Sequence, residues 1–302
     1  METNRSAGHL TALLTILIWG TTFTSTKILL GAFAPVEILF LRFLLGLAAL
    51  TILFPRRLRG TNSRQETVFA AAGLCGICLY YLLENIALTY TLAANASVIV
   101  SSAPFFTALL SRVCFPAEER LHPGFFAGFA AAMAGLILIN FGGAQVHLNP
   151  MGDLLALLAA VVWAFYSVLT RKIGSFGYPT ILVTRRIFFY GLLWMLPALL
   201  FFRFHPDLTL LARPVYLGNL VYLGLGASAL CFVTWNFSVK TLGTVKTSVY
   251  IYLVPVITIV ASAVVLHETL TPSAIAGTAL TLTGLFFSQK KGAKCTKEKK
   301  TS

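Results

Sequence analysis

The sequence is short of charge. Of its 302 residues, 11% are Asp, Glu, Lys or Arg, and only ten are acidic, where a soluble domain carries about a quarter charged residues. With 57% apolar residues and a mean hydropathy of +0.83, that shortage excludes a soluble globular chain and leaves an integral membrane protein. Cysteine is scarce too. Cys75, Cys78, Cys114 and Cys231 fall in apolar runs and Cys295 near the end, so no disulfide framework is implied. Cys75-x-x-Cys78 has no second Cys or His pair at zinc spacing and reads as helix packing, so no metal is expected. No P-loop, nucleotide motif or hydrolase elbow occurs, which leaves no cofactor, no catalytic residue and no ATP drive to expect. Asn95-Ala96-Ser97 fits a glycosylation acceptor but abuts a span and carries no weight. The net charge of +13 lies in short loops and the tail; without a basic face on a folded domain it does not point to nucleic acid.

What is present is apolar length. A helix needs about 20 apolar residues to cross the hydrocarbon. Ten such runs can be drawn, at 9–30, 35–54, 67–89, 96–115, 123–141, 152–171, 179–202, 214–239, 246–266 and 272–288. The first is longer than a signal-peptide core of roughly 7–15 residues and lacks a small-residue cleavage site, so it reads as a retained first helix. Pro123 and Pro272 suit first-turn positions, where a missing N–H costs nothing. Orientation follows from Lys and Arg in the loops. With the N-terminus in the cytoplasm, the inner side holds Arg5, Arg56, Arg57, Arg59, Arg64, Arg120, Arg171, Lys172, Lys240, Lys246 and six tail lysines; the outer side holds Arg203 and Arg213. Both termini are therefore expected inside.

The chain is written twice. Trp19, Lys27, Pro35 and Arg42 return 144 residues later as Trp163, Arg171, Pro179 and Arg186. Asn85, Ser97 and Pro104 return after 151 residues as Asn236, Ser248 and Pro255, and Glu119, Pro123, Gly128 and Gly135 after 149 as Glu268, Pro272, Gly277 and Gly284. The units are 1–142 and 150–289, followed by a basic cytoplasmic tail, 290–302. Each holds five spans, an odd number, so the second enters the membrane from the opposite side. The expected fold is an all-α membrane protein of ten transmembrane helices in two inverted five-helix repeats, an architecture that places a solute site near the midplane between the halves.

Trp19-Gly20-Thr21-Thr22-Phe23 with Lys27, Pro35 and Arg42-Phe43, the mid-helix prolines, the Glu-x-Leu-x-Pro elements (Glu119 to Pro123, Glu268 to Pro272) and the last-helix glycines resemble the drug/metabolite transporter superfamily, in its ten-helix form with two EamA domains. The likeness spans roughly residues 9–288. It implies secondary transport, with export or exchange of small metabolites such as amino acids across a bacterial inner membrane. The copies differ: Gly20 corresponds to Ala164 and Lys27 to Arg171. Two other classes compete. A passive facilitator would dissipate a gradient where a carrier exchanges one solute for another; a membrane-embedded transferase would need an acid/base or metal constellation at one face, and none is evident.

Ionisable groups inside spans are functional candidates because burying them is costly. Lys27, Arg42 and Glu84 fall in the outer half, and Glu84 is expected to pair with Lys27 or Arg42; the pairing is either a structural lock of the first three helices or a proton or substrate site. In the second half Trp235 stands where Glu84 would be, so Arg171, Arg185 and Arg186 read as cations without an acid, suited to a substrate carboxylate at the inner mouth or to snorkelling. Trp19, Phe23 and Lys27 share one side of the first helix by i, i+4, i+8 spacing. With Tyr80, Tyr81, Trp163, Tyr166, Trp235, Tyr250 and Tyr252 they read either as the lining of an amphipathic cavity or as interhelical packing, some of them as lipid-interface anchors; Asn85 and Asn236 serve either as interhelical glue or as solute contacts. The expected partners are a small-molecule substrate, open to proton coupling, and the lipid bilayer. Pro104 and Pro255 should interrupt their helices, with Ser101 and Ser102 bonding freed carbonyls. The glycine pairs seven residues apart should mark close packing.

Overall fold

The apolar runs fold as helices throughout. The computed structural model describes residues 2–91, 93–116, 123–141, 149–265 and 272–289, with no strand among them. Among the described residues ten helical rods follow one another: α1 (Glu2–Leu30), α2 (Pro35–Leu53), α3 (Ser63–Tyr90), α4 (93–114), α5 (Pro123–Phe141), α6 (Pro150–Gly174), α7 (Thr180–Phe201), α8 (Pro214–Leu242), α9 (244–265) and α10 (Pro272–Gln289). Eight are long and apolar enough to cross a membrane; α5 adds the shorter apolar stretch Pro123–Gly135, and α10 packs along it. The chain is a multi-pass membrane protein. Glu119, Arg120, Glu268, Cys295, the tail 290–302 and the side chain of Asn95 lie outside the described residues.

Local chemistry sets the ends. Proline opens α2, α5, α6, α8 and α10, where its missing N–H is one of the helix's unpaired donors anyway. The third helix starts at Ser63 rather than 67. Asn62 Oδ1 accepts from Gln65 N at 2.9 Å, and Asn62 N donates to Gln65 Oε1 at 3.1 Å. That capping box draws a polar first turn into the helix. Hydropathy does not register it.

The duplication extends to the helix irregularities. A wide π turn occupies Leu74–Leu79 of α3 and Tyr222–Leu230 of α8. The α4 rod breaks at Ser101 and Ser102 ahead of Pro104, and α9 tightens to a 3₁₀ turn over Val249–Leu253 ahead of Pro255. A proline within a helical run removes a backbone donor, and its ring crowds the carbonyl of the preceding turn. Ser101 Oγ donates to Ser97 O and Ser102 Oγ to Ile99 O, each at 2.7 Å, so the break keeps its polar groups satisfied. Pro197, inside α7, has no counterpart in the first unit.

Two of the seams between the halves are related by the repeat and differ in chemistry. Between α1 and α8 runs a ladder of hydrogen bonds: Thr11–Ser238 at 2.7 Å, Thr15–Thr234 at 2.6 Å, Trp19 Nε1 to Ala227 O at 2.9 Å, Tyr222 OH to Ile18 O at 2.9 Å and Ser25 Oγ to Asn219 Oδ1 at 2.6 Å. In a membrane each such bond contributes about 0.6–2 kcal/mol. The matching seam, α3 against α6, depends on close approach instead. Gly76 leaves room for the Tyr166 ring, and Gly152 sits against Tyr90 and Thr91. Gly135 faces Gly277 and Thr281 across α5 and α10, and Gly284 faces Gly128 and Ala132; these are the small-residue stripes expected of lipid-embedded packing.

Candidate functional site

Between the seams lies a narrow cavity of about 30 Å³. The first half supplies Trp19, Thr22 and Phe23 from α1, Tyr80, Tyr81 and Glu84 from α3, and Val100 from α4; the second supplies Trp163 from α6 and Ile251 and Val254 from α9. Spacing explains the lining, because Trp19 with Phe23, and Tyr80 with Glu84, lie one turn apart on their helices. The aromatic rings brace one another. Trp19 and Trp163 meet edge to face at 5.2 Å, and Tyr80 lies 4.7 Å from both Tyr81 and Trp163. Trp235, fully buried, packs 5.1 Å from Trp19 and 5.9 Å from Trp163, outside the lining.

Glu84 is the one charged residue of that lining. Its side chain is buried, Tyr80 is in hydrogen-bonding contact with it, and Oε2 has no partner within the protein. The expected ion pair is absent. Lys27, exposed at the end of α1, donates to Leu88 O at 2.6 Å and Thr91 O at 3.3 Å. A cation there meets the unpaired carbonyls and negative dipole end of α3, a placement that competes with Glu84 and wins. Arg42 is 1% exposed. Its Nε donates to Ser228 Oγ at 3.0 Å, and its guanidinium carbon stands 4.5 Å from the Tyr81 ring centroid. Arg42 is near enough to act electrostatically on Glu84, yet it packs on Tyr81 and does not line the cavity.

The structure therefore brings together Trp19, Tyr81, Glu84 and Trp163 and sets the other candidates elsewhere. Asn85 ties α3 to the start of α2, donating to Pro35 O at 3.1 Å. Tyr166 OH donates to Asn236 Oδ1 at 2.8 Å, and Asn236 Nδ2 to Thr184 Oγ1 at 3.0 Å, which links α6, α8 and α7. Tyr250 lies near the start of α9, with its hydroxyl 2.7 Å from His9 Nδ1.

The second-half cations are not without partners. Arg186 pairs with Glu66 at 2.8 Å, and Tyr190 OH donates to the same carboxylate at 2.6 Å. The acid stands not at the position matching Glu84 but on α3, in the polar first turn that the capping box recruits. Arg185 donates to Phe54 O and Arg56 O, and Arg171 lies 5.0 Å from the Phe115 ring with Nη1 3.4 Å from Thr244 Oγ1. Thr22 is marked in the sequence only as part of the Trp19–Phe23 signature, and Val100, Ile251 and Val254 are not marked by it; aliphatic residues inside apolar runs carry no signal of their own. Among the described residues no cluster of His, Cys, Asp or Glu could hold a metal.

Glu66–Arg186 joins the halves at one end of α3 and α7. Replacing either by Gln should open this contact between the halves more often. A partly exposed pair contributes about 1 kcal/mol, roughly a fivefold population shift. Labelling of a cysteine at Thr22 by an impermeant thiol reagent reads that shift, and the exchanged pair Glu66→Arg with Arg186→Glu should restore the original rate.

Comparison with known proteins agrees with this architecture. The EamA-like transporter family matches residues 6–141 and again 150–289. The chain is 29% identical over 291 residues to an uncharacterized transporter of Archaeoglobus fulgidus, covering 95% of this chain and 98% of that protein. It is 29% identical to a probable terminal-alkyne amino-acid exporter of Streptantibioticus cattleyicolor, covering 90% of each. A probable amino-acid metabolite efflux pump of Salmonella typhimurium is 30% identical, with 94% of each covered. A crystal structure superposes with a TM-score of 0.73 at 26% identity, covering 94% of this chain and 96% of the other.

Proposed function

This chain belongs to the EamA-like transporter family, and from that premise we propose that it is a secondary carrier exporting or exchanging small metabolites such as amino acids by alternating access. The observation that carries the reading is a cavity walled by both halves, with a buried carboxylate among aromatic rings and an ion-paired contact between α3 and α7. The printed names of two relatives, an amino-acid exporter and an amino-acid metabolite efflux pump, support the substrate class. We place the protein in a bacterial inner membrane with both termini cytoplasmic, because Lys and Arg fall overwhelmingly in the loops assigned to that side. The units 1–142 and 150–289 are the bodies that rock, and 290–302 is the tail.

In this scheme a solute enters between Trp19 and Trp163, and its charged end meets Glu84. A proton can occupy the same carboxylate when the solute leaves, which would couple export to a proton gradient. Binding shifts the equilibrium between inward- and outward-facing arrangements only by its difference in affinity for the two. In proteoliposomes preloaded with unlabelled amino acid, the protein should drive transient accumulation of labelled amino acid above equilibrium. A passive facilitator would show simple dissipation with no overshoot, and that result would end the carrier reading.

A further inference from the structure

We propose that the cavity reads the ammonium end of its solute and rejects a carboxylate, so that apolar monoamines bind in preference to the corresponding amino acids. This rests on the carrier reading above and narrows its substrate class. Charge is the first reason. The lining holds one carboxylate, Glu84, and no Lys or Arg. Its Oε2 is buried with no partner in the protein, and a buried unpaired carboxylate is strongly unfavourable unless a cation or a proton meets it. The walls are the second reason. Trp19, Trp163, Tyr80 and Tyr81 present ring faces and edges to the same small space. Ring faces are negative, so they attract an ammonium and repel an anion.

The third reason is the placement of the nearby cations. A zwitterion would need a positive group for its carboxylate. Lys27 is engaged by the carbonyls at the end of α3; Arg42 is bonded through Nε to Ser228 and lies against the Tyr81 ring with Nη2 unpartnered, but it does not line the cavity. Trp163 Nε1 has no partner, but a single neutral N–H suits a neutral acceptor or a water and does not neutralise an anion.

Three compounds sharing one phenyl body test this: 2-phenylethylamine, phenylalanine and 3-phenylpropionate. Equilibrium binding to the full-length protein is read from quenching of tryptophan fluorescence, since Trp19 and Trp163 line the site. The amine should bind at least ~10-fold more tightly than phenylalanine, and 3-phenylpropionate at least ~100-fold more weakly than the amine. In Glu84→Gln, checked for an unchanged unfolding temperature, the amine should lose its advantage. If Glu84→Gln does not fold, the order in the unaltered protein decides alone. Phenylalanine binding as tightly as the amine, or an unchanged order in Glu84→Gln, overturns the proposal. Counterflow with the same compounds separates the two readings. Exchange of phenylalanine but not of the amine refutes this inference and leaves the carrier standing; the predicted binding order without exchange of any compound does the reverse.

Discussion

Glu84→Gln should leave the protein folded and lower solute exchange roughly a hundredfold, the equivalent of about 3 kcal/mol for a lost charge-assisted contact in a desolvated site. The carboxamide keeps the shape of the carboxylate, so the rings of Trp19, Tyr80 and Trp163 can stay where they are. What disappears is the one negative charge lining the cavity. Exchange per folded molecule, measured in proteoliposomes at matched protein content, separates the two roles open to this residue. A structural role lowers the yield of folded protein and spares the rate; the site role spares the yield and lowers the rate.

Arg42→Met should have the largest effect on stability. The guanidinium is 1% exposed, bonded to Ser228 and stacked against Tyr81, and it is a cation acting on Glu84. Removing it takes a nearby cation away from a buried carboxylate to which it is not hydrogen-bonded and leaves Ser228 Oγ without its donor, a loss of about 2–3 kcal/mol. The double change Arg42→Met with Glu84→Gln should recover part of that loss, because no charge is then buried alone. It should still fail to exchange solute. Unfolding in a mild detergent, followed by circular dichroism, gives the cycle; a double variant whose loss is the sum of the two single losses would show that Arg42 and Glu84 are not coupled.

Much of this was readable in the chain. The ten runs, the 144-residue recurrence of Trp19, Pro35 and Arg42, and the shared helix face of Trp19 and Phe23 all rest on period and spacing, which the chain itself carries. The misses share a cause. Whether Lys27 would reach Glu84 or the end of α3 is a contest between two partners, and only the relative position of three helices decides it. Glu66 was overlooked because its partner Arg186 lies 120 residues away, and repeat symmetry pointed to Trp235 instead. Asn236 and Tyr166 could be named as polar groups inside spans, but their mutual hydrogen bond depends on how α6 and α8 cross. The π turns of α3 and α8 leave no mark in hydropathy at all.

The most direct measurement immobilises the two halves against each other. In a protein lacking its five native cysteines, Glu66→Cys and Arg186→Cys place one thiol on α3 and one on α7, where the native side chains meet at 2.8 Å. A short bifunctional methanethiosulfonate reagent should bridge them. Exchange in proteoliposomes should stop while the bridge is in place and return when it is reduced. Exchange at the unbridged rate with the bridge intact would mean that solute crosses without this contact opening, and alternating access between the halves would have to be given up.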